Sequence, residues 1–148
     1  MRFEGLDVWK RSAWGERVQC SVFRKKRSEN GMKFEDLDVW KRSARLSANI
    51  YKTLGKLKDY RFRDQICRSG LSIPSNIAEG MERDSQREFL QFLRYAKGSC
   101  GELRTQIYIG IDIGYVPKES GQAWINETRE LSSMLVSLMK VIRNQIEA

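Results

Sequence analysis

The sequence predicts an all-α protein, specifically an antiparallel up-down-up-down four-helix bundle with a proline-kinked second helix. After residue 36, apolar residues recur every three or four positions over long stretches. Helix-start and helix-stop residues divide these stretches into four segments of about 20 to 28 residues. The connections between them are short, which favours antiparallel neighbours. A chain of 148 residues with 41% hydrophobic residues suits one domain with one modest core.

The first helix is predicted to begin at Asp36, where an apolar stripe starts that runs along about 20 residues. Its members are Leu37, Trp40, Ala44, Ser47, Tyr51 and Leu54. After a "KLKD" turn the same spacing predicts a second helix, which extends to Gly80. The stripe of that helix consists of Ile66, Gly70, Ile73 and Ile77.

The second helix contains the string "SIPSNIAEG", which begins at Ser72 and has a proline in the helix interior. Pro74 has no N–H for the Gly70 carbonyl and its ring crowds that carbonyl, so the helix is expected to kink or to break there. Ser72, Ser75 and Asn76 are expected to supply hydrogen-bond partners for the freed backbone groups. We therefore interpret this polar string first as part of the architecture.

The third helix is predicted to start at Ser85, because "SQRE" has the form of a capping box. In that motif the Ser85 hydroxyl accepts from the Glu88 amide, and the Glu88 carboxylate accepts from the Ser85 amide. The helix is predicted to end at Gly114, which suits a left-handed cap, and Pro117 makes a natural break. The fourth helix follows with an apolar arc so broad that it hints at more than intramolecular packing.

The N-terminal region contains a repeat. "MRFEGLDVWKRSA" at 1–13 recurs as "MKFEDLDVWKRSA" at 32–44, with 11 of 13 positions identical. Residues 1–31 are predicted to be a poorly ordered extension and residues 32–148 to form the bundle domain. A local duplication of the gene's start and a real added arm both explain the repeat. In one hypothesis, Leu6 and Trp9 compete with their counterparts for the groove that receives the first helix.

The composition removes several classes of function. The chain has no histidine, which excludes the usual general base and the commonest transition-metal ligand. Cys20, Cys67 and Cys100 are an odd number without C-x-x-C spacing, so they are expected to be buried thiols. We therefore predict no metal, no cofactor and no enzymatic activity. The uncharged runs are far shorter than the roughly 20 residues of a membrane span, so the protein is expected to be cytoplasmic, without a membrane partner.

Four strings carry a resemblance to a known family: "FEDLDVWKRSARLSANIY" at 34–51, "QICRSGLSIPSNIAEG" at 65–80, "SQREFLQFLRYAKGSCGELRTQI" at 85–107 and "GYV" at 114–116. The chain resembles the four-helix-bundle proteins encoded by intervening sequences in bacterial 23S rRNA genes. Relatives among the accessory proteins of diversity-generating retroelements imply a homopentamer that works on nucleic acid. The family's recurrent positions fall here on Ser72, Pro74, Asn76, Glu79, Gly80, Arg83, Glu88, Gly98, Ser99, Glu102, Thr105 and Gln106. Cys67 and Gly70 depart from the pattern.

The charge predicts an anionic partner. The formal net charge is +8, and residues 1–31 supply +4 of it. The favoured function is a non-enzymatic homo-oligomer, pentameric by resemblance, that binds structured RNA or DNA through phosphate contacts from a basic face. The residues predicted to make these contacts are Lys41, Arg42, Arg45, Lys52, Arg61, Arg63, Arg68, Arg87, Arg94 and Lys97.

Two other functions are considered. In the first, the protein is a scaffold or accessory subunit for a protein partner, and the small residues Gly98, Ser99 and Gly101 allow close contact between helices or subunits. In the second, Asn76, Glu79, Glu102 and Gln106 converge in a catalytic polar pocket. A hydrogen-bonded polar layer that fixes helix register explains the same four residues without catalysis.

Overall fold

The computed structural model describes residues 31–148, which contain four α-helices and no strand. A short 3-10 turn at Phe34–Asp36 precedes them. The helices are α1 (Asp38–Leu54), α2 (Tyr60–Glu82), α3 (Gln86–Asp112) and α4 (Lys118–Glu147). The all-α class is confirmed. The predicted N-terminal extension lies outside the described residues, apart from Gly31.

The helices pack as a four-helix bundle. α1 contacts α2 and α4, and α3 contacts the same two helices. Within residues 31–148, α1 and α3 do not contact each other, so they occupy diagonal corners. In this part of the chain, every helix is too short or too polar to cross a membrane.

The core lies where the four apolar faces meet. The stripe predicted for α2 is confirmed, because Ile66, Ile73 and Ile77 are fully buried. The broad arc of α4 is buried against two neighbours, α3 and α1, with Val136 left exposed. Packing inside the bundle therefore accounts for most of the width that hinted at a further contact.

The apolar stripe predicted for α1 is only partly correct. Ser47 and Leu54 are buried as expected, but Tyr51 is 50% exposed, and the core is filled by other residues of the helix. The residues that replace the predicted ones in the core are Val39, Leu46 and Ile50. The physical reason is that α1 is apolar on two adjacent faces. One face meets the core, and the other faces outward along α2.

α3 begins at the predicted cap. The Ser85 hydroxyl accepts from the Glu88 amide at 3.4 Å, which is one half of the capping box. The reciprocal bond is not formed among the described residues. Instead, the Glu88 carboxylate lies 3.8 Å from the guanidinium of Arg83.

The other end of α3 has the predicted left-handed glycine. Gly114 has φ +76°, and its amide donates to the Ile111 carbonyl at 3.1 Å. The next amide, of Tyr115, donates to the Gly110 carbonyl at 2.9 Å. This pair of bonds is a Schellman motif. α4 starts directly after Pro117, which acts as its N-cap.

α2 runs without interruption from Tyr60 to Glu82, through a buried Pro74. Of the two expected alternatives, the break is therefore wrong, and the kink stays a prediction. One missing hydrogen bond does not divide a helix of 23 residues that packs against both α1 and α3. The hydrogen bond expected to compensate for Pro74 also differs. Asn76 donates to the Ser72 carbonyl at 2.7 Å and not to the Gly70 carbonyl, which lacks its usual donor.

Candidate functional site

The chain from Lys41 to Arg68 is strongly basic. It contains nine Lys and Arg residues against two Asp and no Glu, a net charge of +7. On α1, Lys41, Arg45 and Lys52 fall within roughly 40° of one another around the helix axis. They therefore form one cationic stripe on the side away from the core.

The basic stretch continues across the α1–α2 connection into α2. Lys56 and Lys58 are exposed in the connection, and Arg61 and Arg68 stand two turns apart on the outer side of α2. We call the following seven residues the α1–α2 basic surface: Lys41, Arg45, Lys52, Lys56, Lys58, Arg61 and Arg68. None of these side chains makes a hydrogen bond or an ion pair with a described residue. Lys41 interacts electrostatically with Asp38.

Arg42 does not belong to this surface. Its Nε and Nη2 atoms donate to the two carboxylate oxygens of Glu127 on α4, at 2.7 and 2.8 Å. This forked hydrogen bond raises the pKa of Arg42 above its ordinary value. The structure therefore assigns Arg42 to the α1–α4 contact and removes it from the predicted phosphate ligands.

Arg63 is also engaged locally. Its guanidinium lies 3.3 Å from the Asp64 carboxylate and stacks 4.6 Å from the centre of the Tyr60 ring. The neighbouring carboxylate offsets its charge, so Arg63 contributes less to the α1–α2 basic surface than the sequence indicates.

The three remaining predicted cations lie elsewhere. Arg87, Arg94 and Lys97 are exposed on α3, the helix diagonal to α1. Arg94 donates to the Gln91 side chain at 3.1 Å. The single basic face expected from the sequence is thus divided into an α1–α2 part and an α3 part.

The "SIPSNIAEG" string forms a polar connection between α2 and α3. The Ser72 and Ser99 hydroxyl oxygens are 2.7 Å apart, and Asn76 donates to the Ser72 hydroxyl at 3.0 Å. Ser75 is exposed and makes no hydrogen bond with a described residue. One turn further along, a Cβ on Gly80 would lie 2.5 Å from the Phe92 Cβ. This string therefore fixes the register and the close approach of two helices.

The catalytic polar pocket considered as an alternative is not assembled. In the antiparallel register set by Ser72 and Ser99, Glu79 and Glu102 are offset by ten residues, or about 15 Å. Both carboxylates are exposed, and Glu79 pairs with Arg83 at 3.0 Å. Gln106 donates to Glu102 at 3.4 Å, and its own carbonyl oxygen is buried without a hydrogen-bond partner.

The two described cysteines are buried, as predicted, whereas Cys20 lies outside the described residues. Burial raises the pKa of both thiols, that of Cys100 to about 11. Both therefore stay protonated at neutral pH and are poor nucleophiles. Between residues 31 and 148, no group of three or more acidic or cysteine side chains is arranged to hold a metal ion.

Sequence reasoning missed an apolar groove between α1 and α2. It has a volume of about 620 Å³, and its walls include Trp40, Ala44 and Tyr51 from α1 and Leu71 and Pro74 from α2. Three of these residues belong to the stripe that was assigned to the core. Their spacing was therefore a correct signal of an apolar face, although not of a buried one.

Comparison with known proteins decides the family. The model of the 23S rRNA-intervening sequence protein family matches residues 35–137. The chain belongs to this family. A crystal structure described as a protein of unknown function from the S23 ribosomal protein family of Bacteroides thetaiotaomicron VPI-5482 is similar to this chain, with 28% sequence identity and a TM-score of 0.64. The match covers 69% of this chain and 98% of that one. No curated protein matches the chain.

The intervening-sequence family match contains every predicted cation and every residue of the polar string. It begins at Glu35, so it takes in most of the second copy of the repeat and none of the first. The extra copy is therefore a feature of this chain that lies outside the matched region.

Proposed function

We propose that this intervening-sequence protein is a non-enzymatic, homo-oligomeric helical module that binds structured RNA through the α1–α2 basic surface. The supporting observation is the net charge of +7 between residues 41 and 68, carried mostly by side chains without protein partners. Unpaired cations on a helical surface attract phosphate groups, and the release of condensed counterions drives such binding. Arg42 and the α3 cations are not part of this surface.

An exposed aromatic side chain within the α1–α2 basic surface favours RNA with unpaired bases. Tyr60 lies at the start of α2, between Lys58 and Arg61, and is 62% exposed. Aromatic rings beside cations stack on unpaired bases of loops and bulges, whereas phosphate contacts alone read little sequence. The proposed ligand is therefore a folded RNA with a single-stranded loop.

Self-association is proposed on the outer side of α3. There, Gly98 and Gly101 are exposed in mid-helix, and a Cβ on either would meet no atom within 4 Å. Exposed glycine in a helix costs about 1 kcal/mol relative to alanine, a cost that close approach of a second helix can offset. Ile109 and Ile113 continue this side and are 49% and 52% exposed.

The number of subunits is proposed from the resemblance to the accessory proteins of diversity-generating retroelements. A pentamer of 17.3 kDa chains has a mass of about 87 kDa. Light scattering on the full chain measures this directly. A monomer at micromolar concentration would contradict the homo-oligomer.

RNA binding is tested by fluorescence anisotropy of a labelled RNA hairpin, with a DNA duplex of the same sequence for comparison. Between about 50 and 400 mM salt, one phosphate contact for each of the seven residues of the α1–α2 basic surface predicts a slope of log K against log salt of about −6. In the variant Lys52→Glu, Arg61→Glu, Arg68→Glu, the slope is expected to fall in magnitude by about 3.

The matched control is Lys118→Glu, Lys140→Glu, Arg143→Glu, which makes the same change of charge at exposed residues of α4 and leaves the proposed self-association side of α3 intact. Equal losses in both variants would show that general charge, and not the α1–α2 basic surface, governs binding. An intact oligomer whose mass does not change with salt and that binds neither RNA nor DNA would support the second candidate, a scaffold for a protein partner. The exposed apolar residues of α3 are what favour that alternative.

A further inference from the structure

The groove between α1 and α2 has apolar walls and two half-exposed apolar side chains. Tyr51 is 50% exposed and Leu71 is 49% exposed, on opposite sides of the groove. Phe34 lies at the end of the groove where the chain enters the bundle, and Lys52 lies on its wall. No described residue covers these walls, although an apolar surface of this kind gains free energy when it is removed from water.

The repeat provides a segment with matching chemistry. In the second copy, Leu37 is 6% exposed, and the Phe34 ring lies 5.2 Å from the Trp40 ring. Phe34 and Trp40 of the second copy line the groove, whereas Leu37 and Val39 are buried in the core, so this sequence packs its apolar side chains on the bundle. The first copy has the same apolar residues at the same spacing, Phe3, Leu6, Val8 and Trp9.

The first copy of the repeat, residues 1–13, does not fit in place of the second copy at the start of α1. α1 is continuous from Asp38 to Leu54, but the similarity between the copies stops after Ala13 and Ala44. Replacement would cut α1 between Ala44 and Arg45 and would lose the hydrogen bonds of a helical turn. Docking of the first copy in the groove displaces no described residue.

The chain between the first copy of the repeat and the bundle is long enough to let the first copy reach the groove. Residues 14–31 form an 18-residue link, which as a flexible chain spans about 23 Å. The groove between Trp40 and Tyr51 corresponds to eleven residues of helix, or about 17 Å. Residues 1–13 have a net charge of +1, so their apolar side chains, and not their charge, match the groove. A tethered segment has a millimolar effective concentration, so modest affinity suffices.

We propose that residues 1–13 dock in the α1–α2 groove of the same chain, with Leu6 and Trp9 against Tyr51 and Leu71. Docking in this way covers the apolar face of α1 that the bundle leaves exposed. The proposal does not depend on RNA binding.

The test uses the full chain and the dye ANS, which fluoresces on exposed apolar surface. The variant Leu6→Asp, Trp9→Ser is expected to increase ANS fluorescence several-fold, because the groove loses its cover. Adding Leu71→Glu is expected to abolish that increase. The matched control is Val136→Glu on α4, at a residue that is 46% exposed, and it is expected to leave the increase intact.

An unchanged ANS signal in the Leu6→Asp, Trp9→Ser variant would overturn the proposal, as would an increase that persists with Leu71→Glu. Mixing separates docking within a chain from docking between chains. Chains with Leu6→Asp, Trp9→Ser keep an intact groove, and chains with Leu71→Glu keep an intact segment. A mixture is expected to give the average of the two signals. If the mixed signal falls below that average, the segment docks on a second copy and the proposal is wrong.

Discussion

Two glycines on α2 allow the close contacts of this helix to be tested with a matched pair of substitutions. A Cβ on Gly80 would lie 2.5 Å from the Phe92 Cβ and 3.1 Å from a ring carbon of Phe89. A Cβ on Gly70 would lie 3.6 Å from the Ile50 Cδ1, which is an ordinary van der Waals distance. Both substitutions to alanine gain about 1 kcal/mol of helix propensity. Only Gly80→Ala must also separate α2 from α3.

Because the Phe92 Cβ is attached directly to the α3 backbone, a rotamer change cannot relieve this contact. An overpacking cost of about 2 to 3 kcal/mol then exceeds the propensity gain. Gly80→Ala is expected to lower the free energy of unfolding by about 1 to 2 kcal/mol, and Gly70→Ala to raise it by about 1 kcal/mol. Urea unfolding of the full chain, followed by circular dichroism at one protein concentration, measures both. Equal changes in the free energy of unfolding, or a Gly80→Ala variant that is more stable than the unchanged protein, would refute the close spacing of α2 and α3 at Gly80.

Two further predictions concern buried and bridging groups. Burial raises the pKa of Cys100 to about 11, so its contribution to stability is fully present below pH 9 and is lost as the pH rises through 11. The free energy of unfolding is expected to fall by about 2 to 3 kcal/mol across that interval, and the fall should be smaller in Cys100→Ala; identical pH profiles would contradict the assignment. For the Arg42–Glu127 bridge, a double-mutant cycle with Arg42→Met and Glu127→Gln is expected to give a coupling energy of about 1 kcal/mol. A coupling energy of zero would show that the bridge is only a surface contact.

The ends of the helices could be predicted because they depend on local chemistry. Ser85 caps α3 with its own hydroxyl, Gly114 takes a positive φ, and Pro117 precedes α4. Each of these properties belongs to one residue and its near neighbours in sequence. The reciprocal half of the Ser85 capping box was not predictable, because the Glu88 carboxylate has a competing partner in Arg83.

The face that α1 buries could not be predicted from spacing. Two sets of apolar residues on α1 are spaced equally well at the helical period. One set is Trp40, Ala44 and Tyr51, and the other is Val39, Leu46 and Ile50. Which stripe meets the core depends on where α2 and α4 pack, and that is a long-range property. The same limit explains Pro74, because packing on both sides keeps α2 continuous where local rules allowed a break.

The basic site was predictable in composition but not in arrangement. The excess of Lys and Arg from Lys41 to Arg68 is visible in the sequence. The pairing of Arg42 with Glu127 joins residues 85 positions apart, and the separation of Arg87 and Arg94 from α1 depends on the bundle order. No periodicity within a single helix contains that information.

The most direct test of RNA binding through the α1–α2 basic surface is to map where bound RNA touches the chain. Photo-crosslinking of a uridine-rich RNA hairpin to the full chain, followed by peptide mass spectrometry, gives that location. RNA bound on this surface is expected to crosslink within residues 41–68, with Tyr60 among the modified residues. Crosslinks confined to residues 86–112, or none in a complex that forms at low salt, would contradict it.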